Sequence, residues 1–178
     1  MLNQTATLMT LAEVAATFAG FAALVTLFAR RRLERGATHD LMRLRLVIGT
    51  SVVVVMGALI PLAIAGFGVQ EATVWRTSAL ILLVLICFVI GSFLSSYGTV
   101  RGSFPPDKLA VMVAIGLEIL VQFSLIKILF DGAEERHYGL YVSALIGTIG
   151  QATFVFLRLV ESSFTTIVHK TEKAISAA

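Results

Sequence analysis

Five long runs of apolar residues, separated by short polar segments, follow one another along the chain. We predict them as membrane-spanning helices over about residues 8–29, 46–68, 78–97, 109–130 and 140–160. A helix needs about 20 apolar residues to cross the hydrocarbon core of a bilayer. The runs lack the alternation of apolar and polar positions that a β-barrel strand shows. The pattern therefore predicts an all-α integral membrane bundle of about five transmembrane helices.

The composition agrees with this pattern and reduces the number of possible classes of function. Apolar side chains make up 57% of the 178 residues and charged ones only 14%, with a mean hydropathy of +0.91. A soluble domain carries about 25% charged residues. Because the five runs leave only short loops and a tail, we expect no soluble catalytic domain and no nucleic-acid partner.

Lysine and arginine residues are distributed unevenly between the two sides that five spans define. With the N-terminus outside, 11 of them lie on the inner side and 3 on the outer side. The inner residues are Arg30, Arg31, Arg32, Arg35, Arg43, Arg45, Arg101, Lys108, Arg158, Lys170 and Lys173, and the outer ones are Arg76, Lys127 and Arg136. Since cytoplasmic loops are rich in Lys and Arg, the count predicts that the N-terminus lies outside and the C-terminus inside. Residues 161–178 are predicted as a short cytoplasmic tail helix, which either continues the fifth span or lies on the membrane surface.

This orientation can be tested by labelling. A cysteine placed at Glu134, in the predicted outer loop, should react with a membrane-impermeant thiol reagent added to intact cells. A cysteine at Gly36, in the predicted inner loop, should react only after the membrane is permeabilised. The opposite labelling pattern would overturn the orientation.

The chain has few residues of the kinds that build metal or cofactor sites. Its only cysteine, Cys87, lies within the third run, and its histidines, His39, His137 and His169, fall in loops or the tail. Haem between membrane helices needs axial ligands inside the spans, and no nucleotide-binding or zinc-protease spacing occurs. We therefore expect no metal, no cofactor and no enzymatic activity.

Three ionisable side chains, Glu13, Glu118 and Lys127, lie within the predicted spans. A charge at the bilayer centre costs at least about 2.5–3.5 kcal/mol, so such residues are functional candidates. Glu118 lies about 12 residues from the outer end of its span, roughly 18 Å deep. Gln122 is one helical turn further on the same face. At the same depth the other spans are expected to bring Gly20, Gly57, Gly91 and Gln151.

The carboxylates have alternative interpretations. Glu118, with Gln122 and Gln151, is either a cation or proton site or a protonated carboxyl that holds helices together. Glu13 is predicted near the outer face, at about the depth of Lys127. It is either half of an ion pair with Lys127, a water-facing carboxylate, or the outer mouth of an ion path. The ion-pathway candidates are therefore Glu118, Gln122, Gln151 and Glu13.

Two further patterns have a structural and a functional interpretation. Ala12, Ala16 and Gly20 recur every four residues and form a ridge of small residues, which serves helix packing within the chain or contact between copies. Four arginines follow the first span and either set the topology or bind anionic lipid at the cytoplasmic face. These arginines are Arg30, Arg31, Arg32 and Arg35.

Two segments resemble a known group of sequences. The run AATFAGFAALV at residues 15–25, followed by the arginine cluster, is one, and the Val74-Trp75-Arg76 segment is the other. Together they resemble small uncharacterised multi-spanning membrane proteins of bacteria. The resemblance implies an integral protein of the bacterial inner (plasma) membrane and attaches no function.

The favoured functional hypothesis is a small oligomeric channel or ion-coupled transporter for cations or protons. Five helices leave little room for a pore within one protomer, so the path is expected between copies, where rings of carboxylates select cations. The alternative is a non-transporting accessory or assembly subunit of a larger membrane complex, in which the carboxylates hold helices together. A third hypothesis is a lipid-binding or stress-response protein that uses the basic inner face.

Overall fold

A computed structural model of the chain contains five long α-helices. They are α1 (Leu2–Arg30), α2 (Ala37–Ala65), α3 (Glu71–Val100), α4 (Lys108–Phe130) and α5 (His137–Ser176), with a short 3-10 turn at Glu134–Arg136 before α5. The structure describes residues 2–30, 37–100, 108–132 and 134–176, and side chains over 4–25, 44–95, 111–132, 135–158 and 160. Within these ranges the chain forms no strand.

Each of the five helices contains a segment long and apolar enough to cross a membrane. These segments are Gln4–Val25, Leu44–Ala65, Glu71–Ser95, Val111–Phe130 and His137–Arg158. Large apolar side chains such as Phe88, Met112 and Phe130 stay exposed on the outside of the bundle. An apolar exterior of this kind is in contact with lipid rather than water. The predicted all-α, five-span bundle is confirmed, and the protein is an integral membrane protein.

Two helix boundaries differ from the prediction because of a glycine turn. The second span was predicted to reach residue 68, but α2 ends at Ala65 and the chain turns through Gly68, whose φ is +70°. Only glycine adopts this left-handed conformation without strain. α3 then begins at Glu71, seven residues before the predicted start at residue 78.

The fifth helix extends well beyond its predicted span. α5 continues without a break to Ser176, so of the two alternatives for the tail helix the structure shows the continuation of the fifth span. The side chains of residues 161–178 lie outside the described ones.

The helices α2 and α5 form the centre of the bundle. α2 packs on α1, α3 and α5, whereas α4 packs mainly on α5 and less on α3. Because successive helices alternate in direction, α1, α3 and α5 begin at the same end, which we call the N-terminal end of the bundle. The core between the helices includes Leu8, Val54, Leu82, Val121, Leu125, Tyr141 and Leu145.

A proline in α2 explains a buried hydrogen bond between α2 and α5. Pro61 lies inside α2 and has no N–H, so the carbonyl of Gly57, four residues earlier, has no helical donor. The hydroxyl of Tyr141 on α5 donates to this carbonyl at 2.7 Å. Backbone polar groups inside a bilayer must find partners within the protein. Tyr141 therefore replaces the missing N–H and fixes α5 against α2.

The turn between α4 and α5 is tied to the start of α3. Arg76 Nη2 donates to the backbone carbonyl of Asp131 at 3.3 Å, and His137 Nε2 lies 3.1 Å from the same oxygen. The indole of Trp75 packs at a tilt on Tyr138 and Tyr141, with ring centroids 5.5 and 5.6 Å apart. Aromatic and basic residues are typical of a membrane–water interface. The N-terminal end of the bundle is thus connected across three helices.

Candidate functional site

Three of the predicted site residues meet between α4 and α5. Gln122 Nε2 donates to Glu118 Oε1 at 2.6 Å, and Gln151 Nε2 donates to Glu118 Oε2 at 2.9 Å. Gln151 Nε2 also lies 3.4 Å from the carbonyl oxygen of Ala114. We call Glu118, Gln122 and Gln151 the carboxylate–amide cluster. Gln122 meets Glu118 because it lies one helical turn further along α4. Gln151 meets Glu118 because it lies at the same depth on α5.

A glycine allows α5 to come this close to α4. A Cβ at Gly147 would lie 2.7 Å from Cγ2 of Val121, a distance that real Cβ contacts do not show. Val121 is fully buried. Gly147 is one helical turn before Gln151, so its missing side chain lets the amide of Gln151 reach Glu118.

Both oxygens of the Glu118 carboxyl accept hydrogen bonds. Each accepts an N–H from a different amide. The amide oxygens of Gln122 and Gln151 are further acceptors beside the carboxylate. Oxygen ligands of this kind suit hard cations.

The cluster lies in the middle third of the membrane segment and is accessible from outside the bundle. Glu118 is 7 residues from the start and 12 from the end of the segment Val111–Phe130. The side chains of Glu118, Gln122 and Gln151 are all partly exposed. The cluster is therefore open to the outside of the bundle and is not sealed in its core. Thr148, three residues before Gln151 on α5, donates to the carbonyl of Ala144 in its own helix at 2.9 Å.

Glu13 lies on the face of α1 that points away from the bundle. The buried residues of this helix, Leu8, Ala15 and Ala22, recur every seven residues and face α2 and α5. Glu13 is exposed on the opposite face. In the described part of the chain, no hydrogen bond or ion pair involves its carboxylate.

The depth of Glu13 differs from the prediction. The rings of Phe18 on α1 and Phe156 on α5 meet edge to face, with centroids 6.3 Å apart. Both helices begin at the N-terminal end, so five residues back from these rings lie Glu13 and Gln151. Glu13 is therefore at about the level of the carboxylate–amide cluster, deeper than the level predicted for it beside Lys127.

The structure does not bring Glu13 and Lys127 together within one chain. α1 packs on α2 and α5, and both side chains are exposed on different helices. The ammonium of Lys127 lies 5.8 Å from the ring centroid of Phe123, in the last turn of α4. It lines an open cleft of about 480 Å³ with Phe123, Ile126, Phe130, Asp131 and Arg136.

The glycines predicted at the depth of Glu118 do not surround it. Gly20 and Gly91 are exposed, and a Cβ at either would have no neighbour within 4 Å. Gly57 packs between α3 and α5 at the centre of the bundle. A common depth does not determine which way each helix face points, so only Gln151 meets the carboxylate.

The predicted ridge of small residues on α1 does not pack within the chain over most of its length. Ala12 is partly buried, but Ala16 and Gly20 are exposed. Two residues that sequence analysis did not single out, Thr10 and Thr17, lie with Glu13 on the same exposed face. Their spacing of three and four residues from Glu13 is the signal that could have revealed them.

Most of the predicted lipid-binding arginines lie outside the residues that the structure describes. α1 ends at Arg30, whose side chain is not described, and Arg31, Arg32 and Arg35 lie outside the described residues. The lipid-binding role of these four residues therefore stays a prediction.

Comparisons with known proteins leave the chemistry of the chain's own residues as the guide to function. No protein-family model, curated protein or solved structure matches the chain. Among the described residues, no three His, Cys, Asp or Glu side chains lie close enough together to hold a metal ion. The carboxylate–amide cluster joins three polar side chains of two helices inside the membrane segments, and it is therefore the candidate functional site.

Proposed function

We propose that the protein is a small homo-oligomeric channel or ion-coupled transporter for cations or protons in a bacterial inner membrane. The observation that carries this proposal is the carboxylate–amide cluster, in which Glu118 accepts two amide N–H groups in the middle third of a membrane segment. An ionisable residue at such a depth is a functional candidate by default.

The absence of a basic partner in the described chain favours a mobile positive charge. No Lys, Arg or His side chain in the described ranges forms an ion pair with Glu118. Lys127 is nine residues further along α4 and lies over Phe123. A carboxylate whose oxygens both accept N–H groups needs a positive charge to be neutral overall, and a cation or a proton from outside the chain supplies it. Exchange of that charge is the elementary step of transport.

The partial exposure of the cluster also favours a site over a packing contact. A carboxyl that only joins two helices is most stable when it is sealed from water and fully hydrogen-bonded. Glu118, Gln122 and Gln151 all keep exposed surface instead. Because the outside of a single bundle faces lipid, an ion reaches this exposed surface along the path between copies that the proposed homo-oligomer provides.

The proposal predicts that Glu118→Gln abolishes cation or proton flux while the fold is retained. Glutamine keeps the shape of the glutamate side chain and an acceptor oxygen for one amide. It does not take up a proton and has no charge to balance a cation. Purified protein is reconstituted in liposomes, and flux is followed with an entrapped pH or cation indicator. Flux should fall to the level of protein-free liposomes.

The matched control is Glu135→Gln, which removes an exposed carboxylate in the turn before α5. This variant should transport like the unmodified protein. Unchanged flux in Glu118→Gln would contradict the proposal and leave the cluster as a helix-packing contact, as the accessory-subunit hypothesis requires.

A further inference from the structure

The carboxyl of Glu13 is exposed on the bundle surface near the middle of its membrane segment. It is 9 residues from the start and 12 from the end of the segment Gln4–Val25. A polar group left facing lipid at this depth costs several kcal/mol, so such residues face protein or a water-filled space. Since the described chain provides no partner, the partner must come from another molecule.

The residues around Glu13 on this face form a regular seam. Positions 6, 10, 13, 17, 20 and 24 are all exposed and are spaced alternately by four and three residues. This 3.5-residue period is the one along which two parallel helices pack side by side. We call these six positions the α1 seam: Ala6, Thr10, Glu13, Thr17, Gly20 and Leu24.

The small residues of the seam allow another helix to approach α1 closely. Among the polar side chains of the seam, only that of Glu13 has no hydrogen-bond partner within the described chain. Thr10 Oγ1 donates to the carbonyl of Ala6 at 3.0 Å, and Thr17 Oγ1 donates to that of Glu13 at 2.8 Å. Both hydroxyls are thus satisfied within α1. Gly20 has open space on this side. Small residues let helix backbones approach closely in lipid.

We propose that the α1 seam is the interface between copies of this chain, with the Glu13 carboxyls facing one another across the symmetry axis. Copies with the same orientation in one membrane present the seam in parallel and at equal depth. Each seam position then meets the same position of the other copy, so the two Glu13 carboxyls lie side by side at one depth. Lys127 cannot take this role in a parallel copy, because it lies three residues from the end of its segment.

The pairing has a chemical consequence for the axis. Two carboxylates at short range disfavour a shared negative charge, so the facing carboxyls hold protons or a cation between them. Glu13 lies at about the level of the carboxylate–amide cluster, which places both acidic sites of a protomer at one depth. This inference rests on the homo-oligomer of the proposed function and names its interface; it does not require that Glu118 transports an ion.

Cysteine cross-linking tests the seam directly. In a background with Cys87→Ser, single cysteines are introduced at Thr10 and Thr17, and at the control positions Ala16 and Ala23. The controls are also exposed on α1 but point about a quarter turn away from the centre of the seam. Oxidation in membranes should give disulfide-linked dimers with the seam cysteines and not with the controls. Equal cross-linking at both pairs, or none at the seam, would overturn the proposal.

A pair of glycine substitutions gives an independent measurement. Gly20→Leu fills the seam, and Gly91→Leu adds the same bulk on α3, where a Cβ also has no neighbour within 4 Å. Neither substitution meets the packed interior, so both should leave the protomer folded. The mass of the purified protein in nanodiscs or detergent should fall to that of the monomer for Gly20→Leu only.

The outcomes separate this inference from the proposed function. An oligomer that persists in Gly20→Leu, or dissociates equally in Gly91→Leu, would overturn the α1 seam whatever the flux. An unmodified protein that is monomeric in membranes would overturn it as well. Seam-specific cross-links with unchanged flux in Glu118→Gln would support the interface and refute the transport role of Glu118.

Discussion

Gly147→Leu should lower the free energy of unfolding by about 1–3 kcal/mol, because it overpacks the contact between α4 and α5. Even the first added carbon would lie 2.7 Å from Cγ2 of Val121. Valine on a helix has essentially one side-chain rotamer, so Val121 cannot rotate out of the way. The helices must separate instead, and Gln151, one turn further on α5, should then lose its hydrogen bond to Glu118.

The substitution Gly150→Leu provides the matched control on the same helix. A Cβ at Gly150 has no neighbour within 4 Å, so the first added carbon meets no packed atom, in contrast to Gly147. Thermal unfolding of purified protein, followed by circular dichroism, measures both variants. We expect a clearly lower melting temperature for Gly147→Leu and little change for Gly150→Leu. Equal stability of the two variants would show that Gly147 does not set the distance between α4 and α5.

Glu118→Leu should destabilise the bundle by a similar amount, about 1–3 kcal/mol, for an electrostatic reason. The substitution removes the acceptor of two amides at once, those of Gln122 and Gln151. The bilayer core contains little water that could replace the lost acceptor. The amide N–H groups therefore stay without a hydrogen bond, or the helices shift. Glu118→Gln keeps an acceptor and should be close to the unmodified protein in stability.

A double substitution separates the lost hydrogen bonds from the lost volume. Glu118→Leu together with Gln151→Leu removes the acceptor and the donor from α5, so the pair should be less destabilised than the sum of the single changes. Unfolding in a denaturing detergent provides the free energies. If the two effects add without any interaction term, the hydrogen bond between α4 and α5 contributes nothing to stability.

The sequence was sufficient for the number of membrane segments and for the residues that meet Glu118. Apolar run length predicted five membrane segments, and spacing by four residues placed Gln122 beside Glu118. Counting residues from the loops brought Gln151 to the same depth. All of these predictions depend only on distance along a helix, which follows from the fixed rise per residue.

The direction in which each helix face points could not be predicted in the same way. Glu13 was expected near Lys127, yet α1 turns this residue away from the bundle. Gly20 and Gly91 share a depth with Glu118 but face outward. In lipid, apolar side chains are accepted on every face of a helix, so the amphipathic pattern that orients helices in soluble proteins is weak here. Packing partners then depend on small-residue contacts such as Gly147 on Val121, which involve residues far apart in the sequence.

The hydrogen bond from Tyr141 to Gly57 makes the order of biogenesis matter for this protein. The ribosome completes α2 long before α5, so α2 enters the bilayer with a carbonyl that Pro61 leaves without its helical donor. An unsatisfied backbone group in the hydrocarbon core costs several kcal/mol. A nascent chain that lacks α5 therefore carries a local defect in α2, and insertion of the last helix repairs it. Chains truncated before Tyr141 would expose this defect permanently and present it to membrane quality control.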